Sequence, residues 1–159
     1  MANYTQPNTI QGGTYGVVRC KLTHADLTAA ATNEVLTWAA LVTAHPTGAE
    51  NIPANSRVVG AGVNILVDFS GGSSSSVTID MGDAANDDEL LALVDLFTGA
   101  KAAAQLTGIN GVYVPGTFEA AYVAKVDVIS NVNVVALTAG EAELWIEYVS
   151  MTTDGFVTT

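Results

Sequence analysis

The chain has 159 residues, with five basic and 16 acidic side chains that give a net charge of −11. This length predicts one domain that buries roughly 70% of the surface its unfolded form exposes. The few basic residues are scattered, which excludes a phosphate-binding patch, so neither nucleic acid nor a membrane surface is an expected partner. The one cysteine excludes an intramolecular disulfide, and no run approaches the ~20 apolar residues of a membrane helix, so we expect a soluble chain.

The low content of charged residues indicates an assembled protein. Only 13% of the residues are charged, whereas the surface of a free small domain is usually ~25–35% charged. We therefore expect part of the surface to be covered in an oligomer or a larger assembly. A solvated surface rich in small Ala and Thr residues is the alternative explanation.

The first residues predict an extended N-terminal arm. Residues 1–13 are rich in Asn, Thr, Gln and Gly and have no core of their own. They also lack the basic and apolar regions of a secretory signal. A single β-sandwich domain is therefore expected over residues 14–159.

After the arm, the pattern predicts a strand, a helical turn and a second strand. Residues 15–22 alternate in the way that is typical of a strand. Thr23 and Asp26 fit a capping box that opens a helical turn through residue 31. β-Branched and aromatic residues over 32–42 predict the second strand.

The longest predicted strand covers residues 57–69. Its odd-numbered residues from Val59 to Phe69 form the predicted core face, and the even-numbered residues form a half-polar face. Gly60 and Gly62 on the second face would let another backbone come close, which favours a packing role. The third glycine of a dinucleotide fingerprint is missing, which argues against a cofactor loop.

A hairpin and a helix are predicted next. A Gly/Ser turn at residues 71–76 and an alternating return strand over 77–81 predict a hairpin with the preceding strand. The helix has Asn86 as its N-cap, acidic residues in its first turn and Gly99 at its end. This cap explains the acidic run 80–89 better than a bound cation does, since the spacing of an EF-hand is absent.

Three further strands are predicted over residues 118–129, 131–137 and 141–149. Together with the earlier segments they make about seven strands, separated by polar turns and accompanied by two short helices. This pattern predicts an all-β fold, an antiparallel β-sandwich of jelly-roll or Greek-key type.

No set of residues predicts a reaction. His24 and His45 lie beside loops and have no metal-ligand spacing with each other or with Cys20, so neither a metal nor a cofactor is predicted. Cys20 lies in an alternating strand and is expected to be a small core residue. No G-x-S-x-G elbow accompanies the serines. We therefore expect a protein that is not an enzyme.

Trp145 is a candidate contact residue. It falls on the strand face that also carries Glu141, Glu143 and Glu147, opposite the predicted core face. An exposed Trp at this position would be a contact anchor, because Trp is enriched at interface hot spots. Burial under the other sheet is the equal alternative.

Four segments carry a family resemblance: ADLTAAATNEVLTW, IPANSRVVGAGVNILVDFSGG, SVTIDMGD with the acidic residues that follow it, and LTAGEAELWIEYV. In this order, and after a short arm and a first strand, they resemble the small β-sandwich virion proteins of tailed bacteriophages, in particular the head decoration (cement) proteins. The resemblance covers about residues 14–150.

The resemblance implies a non-enzymatic structural protein that decorates the outer capsid surface and bridges neighbouring capsid subunits, with no cofactor. Its partners would be the major capsid protein and itself, as a homotrimer, and it would reside in the host cytoplasm before assembly and on the virion afterwards. Contacts with the capsid or with a neighbouring subunit would involve Tyr4, Pro7 and Ile10 of the arm and Trp145 of the last strand.

Two other functions stay open. A tail, neck or fibre-attachment protein would use the same kind of sandwich and arm. A carbohydrate-binding module would use Trp38 or Trp145 as a platform on which a sugar ring stacks.

Overall fold

The computed structural model describes residues 14–46, 56–83, 88–97, 122–129 and 133–150. No helix in these ranges is long and apolar enough to cross a membrane. The elements are β1 Thr14–Thr23, a first 3-10 turn His24–Asp26, β2 Asn33–Thr37, α1 Trp38–Ala44, β3 Ser56–Ser70, β4 Ser76–Asp83, β5 Leu91–Asp95, β6 Tyr122–Ile129, a second 3-10 turn Val134–Ala136 and β7 Ala139–Ser150.

These strands form two antiparallel sheets. One has three strands in the order β1-β7-β3, and the other has four strands in the order β2-β6-β4-β5. Every pairing between neighbours is antiparallel, which confirms the predicted all-β class. The jelly-roll or Greek-key connectivity stays a prediction.

One hydrophobic core lies between the two sheets. Because side chains alternate across a strand, every second residue of β1, β4 and β7 points inward. Trp38 of α1, 1% exposed, belongs to the same core, so it cannot serve as a surface platform for a sugar. The inward residues of the three strands are Val18, Cys20, Leu22, Val77, Ile79, Met81, Ala142, Leu144 and Ile146.

Irregular pairing of β3 changes its inward face. Its register against β7 shifts between Val58 and Gly60 and again on either side of Val67. Each shift inserts an unpaired residue, which reverses the parity of the residues that point inward. Val58 is therefore buried, whereas Val59 and Val67 are exposed, although both were predicted in the core. The remaining predicted core residues of this strand, Ala61, Val63, Ile65 and Phe69, are buried as expected.

The predicted hairpin between β3 and β4 is wrong. The two strands belong to different sheets, because the chain crosses the sandwich at Gly71, Gly72 and Ser73, all of which have positive φ. The backbone N–H of Thr138 donates to the carbonyl of Ser70 at 2.9 Å and holds the start of the crossing in place. The buried side chains of β3 and β4 therefore join the core from different sheets, and the two strands do not lie side by side.

The predicted helix at residues 86–99 is also wrong. Its described part contains β5, the edge strand Leu91–Asp95 of the four-stranded sheet. The backbone N–H groups of Leu90 and Leu96 donate to carbonyls of β4 at 2.8 and 2.7 Å, so pairing with β4 outweighs the local helix propensity. Helix capping is therefore not the reason for the acidic run 80–89.

One acid of that run has a structural partner. Asp80 is buried on β4, and its Oδ1 accepts a hydrogen bond of 2.5 Å from the backbone N–H of Leu93. Leu93 has the left-handed φ of 49° and a side chain that is 72% exposed. The Asp80 carboxylate thus supports a backbone conformation that leucine rarely adopts.

Two more segments differ from the prediction. The strand predicted over 32–42 ends at Thr37, whose hydroxyl accepts a hydrogen bond of 3.2 Å from Ala40 N–H and caps α1. Helix-favouring Ala and Leu residues follow this cap and continue the helix. The strand predicted over 131–137 contains the second 3-10 turn, whose N–H groups donate to the segment before β2.

Gly140 allows β7 to pass over the ring of Phe69. Its φ of +144° lies in a region that side chains rarely permit, and a Cβ atom at this position would overlap the Phe69 ring. Because Phe69 is fully buried, the ring has no free space into which it could move. The start of β7 and the end of β3 can therefore pack together because Gly140 has no side chain.

Gly140→Ala is expected to lower the free energy of unfolding by about 2–5 kcal/mol, because backbone strain and overpacking add. Urea denaturation of both proteins measures this loss. Gly16→Ala is the matched control: its new Cβ would meet the outer end of the half-buried Tyr148 side chain, which can move. An equal loss in the two variants would contradict the proposed contact between Gly140 and Phe69.

Candidate interaction surface

Polar and aromatic side chains gather on the solvent side of the three-stranded sheet. They alternate with core residues on β1, β3 and β7, and β7 lies in the middle. We call this set the outer face. It consists of Tyr15, Val17, Arg19, Lys21 and Thr23 of β1, Glu141, Glu143, Trp145, Glu147 and Val149 of β7, and Arg57, Gly60, Gly62, Asn64 and Val67 of β3.

Four of the six charged side chains of the outer face form ion pairs between strands. Arg19 forms an ion pair with Glu143, and Lys21 forms one with Glu141 at 2.8 Å. Asn64 Nδ2 also donates to Glu143 Oε1 at 3.0 Å, so the Glu143 carboxylate joins all three strands. Opposite charges on neighbouring strands each contribute about 0.2–1 kcal/mol and favour the observed register.

Trp145 lies at the centre of the outer face. In the register of the sheet it stands between Arg19 of β1 and Gly62 of β3, and Glu143 and Glu147 flank it along β7. Its side chain is half-buried. The predicted placement on the glutamate face, opposite the core, is therefore confirmed, and burial under the other sheet is wrong. Its role as a contact residue stays a prediction.

Glu147 extends across the outer face in both directions. On one side, a Cβ at Gly60 would meet the Glu147 side chain, so the close neighbour of this glycine is a residue of the same sheet. On the other side, Glu147 accepts a hydrogen bond from Tyr15, which is 58% exposed. This hydrogen bond raises the pKa of the Tyr15 phenol above its ordinary 10.0, with desolvation and the charge of Glu147 as smaller causes.

Glu147→Ala is expected to return the pKa of Tyr15 toward 10.0, because the hydrogen bond that mainly raises this pKa and the carboxylate charge are both lost. NMR titration of the tyrosine ring carbons measures the change. Glu141→Ala makes the same change at the far end of the face and should leave the pKa of Tyr15 unaltered. An unaltered pKa of Tyr15 in Glu147→Ala would disprove the contact.

A second polar cluster lies at the first 3-10 turn. The Asp26 carboxylate accepts hydrogen bonds from Thr23 N–H and Oγ1–H, both at 2.7 Å, and from His45 Nε2–H at 2.8 Å. Burial opposes ionisation of Asp26, but these hydrogen bonds together outweigh it and lower the pKa of Asp26 below the usual 3.8. The pairing of Thr23 with Asp26 confirms the predicted capping box, although the turn ends at Asp26 and not at residue 31.

Cys20 lies close to this cluster but has the properties of a core residue. It is fully buried, and burial raises the pKa of its thiol far above the ordinary value, with the charges of Asp26 and Glu143 adding to the effect. The prediction of a small core cysteine is confirmed. Within the described ranges, no three His, Cys, Asp or Glu side chains are arranged to hold a metal ion.

Asp26→Asn is expected to cost about 1 kcal/mol of stability at neutral pH, because the charged acceptor of the capping box is lost. A carboxyl whose folded pKa is lowered stabilises the fold above its unfolded pKa near 3.8 and loses that contribution as the pH falls further. The difference in free energy of unfolding between wild type and variant should therefore disappear below about pH 4. Urea denaturation at several pH values measures this difference, and a constant difference would contradict the assignment.

The predicted contact residues divide between described and undescribed parts of the chain. Trp145 lies on the outer face, whereas Tyr4, Pro7 and Ile10 lie outside the described residues. Trp145 is therefore the one predicted contact residue that lies within the described part of the chain.

The pairing of β1 with β7 was missed by the sequence reasoning, although a signal for it exists. Arg19 and Lys21 alternate with apolar residues on one strand, and Glu141 and Glu143 do so on another. Complementary charges with the same period of two are typical of neighbouring strands.

The sequence matches no protein-family model, and no curated protein is similar enough to count as a relative. Among solved structures, the chain is similar to a chain of the cyanophage Pam1 capsid asymmetric unit, with a TM-score of 0.59. The two chains are 17% identical, and the match covers 94% of each. At this identity the likeness shows a shared fold.

Proposed function

We propose that the protein is a structural component of a tailed-phage virion. It decorates the outer capsid surface and cements the shell by bridging neighbouring capsid subunits, without catalysis. Its partners are the major capsid protein and further copies of itself, as a homotrimer. It passes from the host cytoplasm to the surface of the virion.

The observation that carries this proposal is the fold shared with a chain of a cyanophage capsid asymmetric unit. The match includes 94% of both chains, so it concerns the whole arrangement of strands and is not confined to one common motif. The low charged fraction of 13% supports the same role, because a protein that is covered in an assembly needs fewer charges on its surface.

The arm provides the contacts with the shell in this proposal. Tyr4, Pro7 and Ile10 are the larger apolar residues of an otherwise polar segment. Apolar side chains at such spacing can occupy separate pockets on a partner, while the polar residues between them stay in water. Trp145 is the proposed contact residue of the folded domain, either with the shell or with a neighbouring subunit, since its half-buried ring lies in the middle of a solvent-facing sheet.

The triple variant Tyr4→Ala, Pro7→Ala and Ile10→Ala is expected to bind expanded shells at least about tenfold more weakly, because each lost anchor removes buried apolar area. Sedimentation of the shells with added protein measures binding. The control carries Thr5→Ala, Asn8→Ala and Gln11→Ala in the same arm and should bind as wild type does. Equal binding of all three proteins would contradict the role of the arm.

The copy number in purified virions distinguishes decoration from the alternative location in a tail or neck. Mass spectrometry of virions should find hundreds of copies for a protein that covers the head. A dozen copies or fewer would place the protein in the tail or neck, and none would contradict a role in the virion.

A further inference from the structure

We infer that the outer face is the surface through which one copy of this chain contacts a second copy. The rest of the surface, which carries the net negative charge, would then contact a different partner. The inference deepens the proposed function and rests on it only for the expectation of a homo-oligomer, because the assignment of the face comes from charge and exposure.

The outer face is electrically neutral on a strongly acidic chain. It holds three of the five basic residues together with three glutamates, so the whole net charge of −11 lies elsewhere on the molecule. The edge of the other sheet at β5, for example, presents the exposed acids Asp88, Glu89 and Asp95. Two copies that met through such an edge would bring acidic side chains close together. Physiological salt screens charges only beyond about 8 Å, so these side chains would repel each other. Contact through the outer face avoids this repulsion.

Four of the six charged side chains on the outer face form ion pairs within the subunit. Arg19 is paired with Glu143 and Lys21 with Glu141, and Asn64 shares the Glu143 carboxylate. A second copy can therefore cover these groups without leaving a charge unpaired, which is the main electrostatic cost of a buried interface.

Apolar side chains surround this paired network. Of the seven large hydrophobic residues that are exposed in the described ranges, four lie on β1 and β3. Trp145 stands between these two strands and provides the large aromatic ring that is typical of an interface hot spot. Tyr15 and Val67 belong to the outer face, and Val59 and Leu66 are the unpaired residues at two of the register shifts of β3.

Trp145→Glu on the full chain is expected to raise the dissociation constant of the oligomer by about 30-fold or more, the size of a hot-spot loss. Sedimentation velocity over a concentration series measures this constant. Val35→Glu is the matched control, because it adds the same charge at an exposed valine of the other sheet and should leave the oligomer intact. Circular dichroism checks that each variant is folded.

A second variant keeps the test decisive if Trp145→Glu does not fold. Tyr15→Glu changes an exposed residue of the same face, so it should fold and weaken the oligomer in the same direction. A monomeric wild type, or an oligomer that survives both changes on the outer face, would overturn the inference. An oligomer broken by Val35→Glu would also overturn it, since the contact would then use the other sheet.

Salt dependence distinguishes this contact from docking on a basic partner. Between about 50 and about 500 mM NaCl, association through a neutral face should strengthen or stay constant, because salt screens the repulsion between the acidic parts of the two surfaces. Association that weakens with salt would contradict the inference. Binding to shells is measured separately. An oligomer that does not bind shells refutes the proposed decoration of the capsid and leaves the inference intact. A monomer that binds shells refutes the inference and the homotrimer but leaves the decoration of the capsid intact.

Discussion

The backbone pairing of β7 on both of its edges determines most of this structure. β1 pairs with it from Thr14 opposite Ser150 to Thr23 opposite Glu141, and β3 pairs with its other edge. β1 and β3 have no pairing with each other. Because successive residues of a strand point to opposite faces, the even-numbered residues of β7 build the core while the odd-numbered ones build the outer face. A single strand therefore positions both the hydrophobic centre of the domain and its candidate interaction surface.

Elements that depend on a local pattern were predicted correctly from the sequence, and elements that depend on contacts between distant residues were not. β1, β4 and β7 could be predicted because their alternation is local and uninterrupted. The inward face of β3 could not, since its shifts in register depend on β7, far along the chain. The helix predicted over 86–99 has good local propensity, but hydrogen bonds to β4 favour a strand. The hairpin prediction failed because the sequence neighbours β3 and β4 belong to different sheets.

The candidate site shows the same division. The side of β7 on which Trp145 lies follows from parity alone, and this placement is correct. The network around it joins residues that are distant in sequence, such as Arg19 with Glu143, and no local pattern specifies which strands become neighbours. Three groups have altered pKa values: Tyr15, Cys20 and Asp26. The causes are hydrogen bonds for Tyr15 and Asp26 and burial for Cys20. In the described residues, these polar contacts thus stabilise the strands and turns that they join.

The order of strands has a consequence for the synthesis of the protein. In each sheet one inner strand, β6 or β7, leaves the ribosome after both of the strands that flank it. The facing edges of β1, β2 and β3 therefore stay unpaired at first. The four-stranded sheet cannot close until β6 has emerged, and the three-stranded sheet cannot close until β7 has emerged. Such long-range pairing slows folding and leaves strand edges open to aggregation. The net charge of −11 opposes contact between these unfinished chains, so the acidity of the sequence also protects the protein before it has a fold.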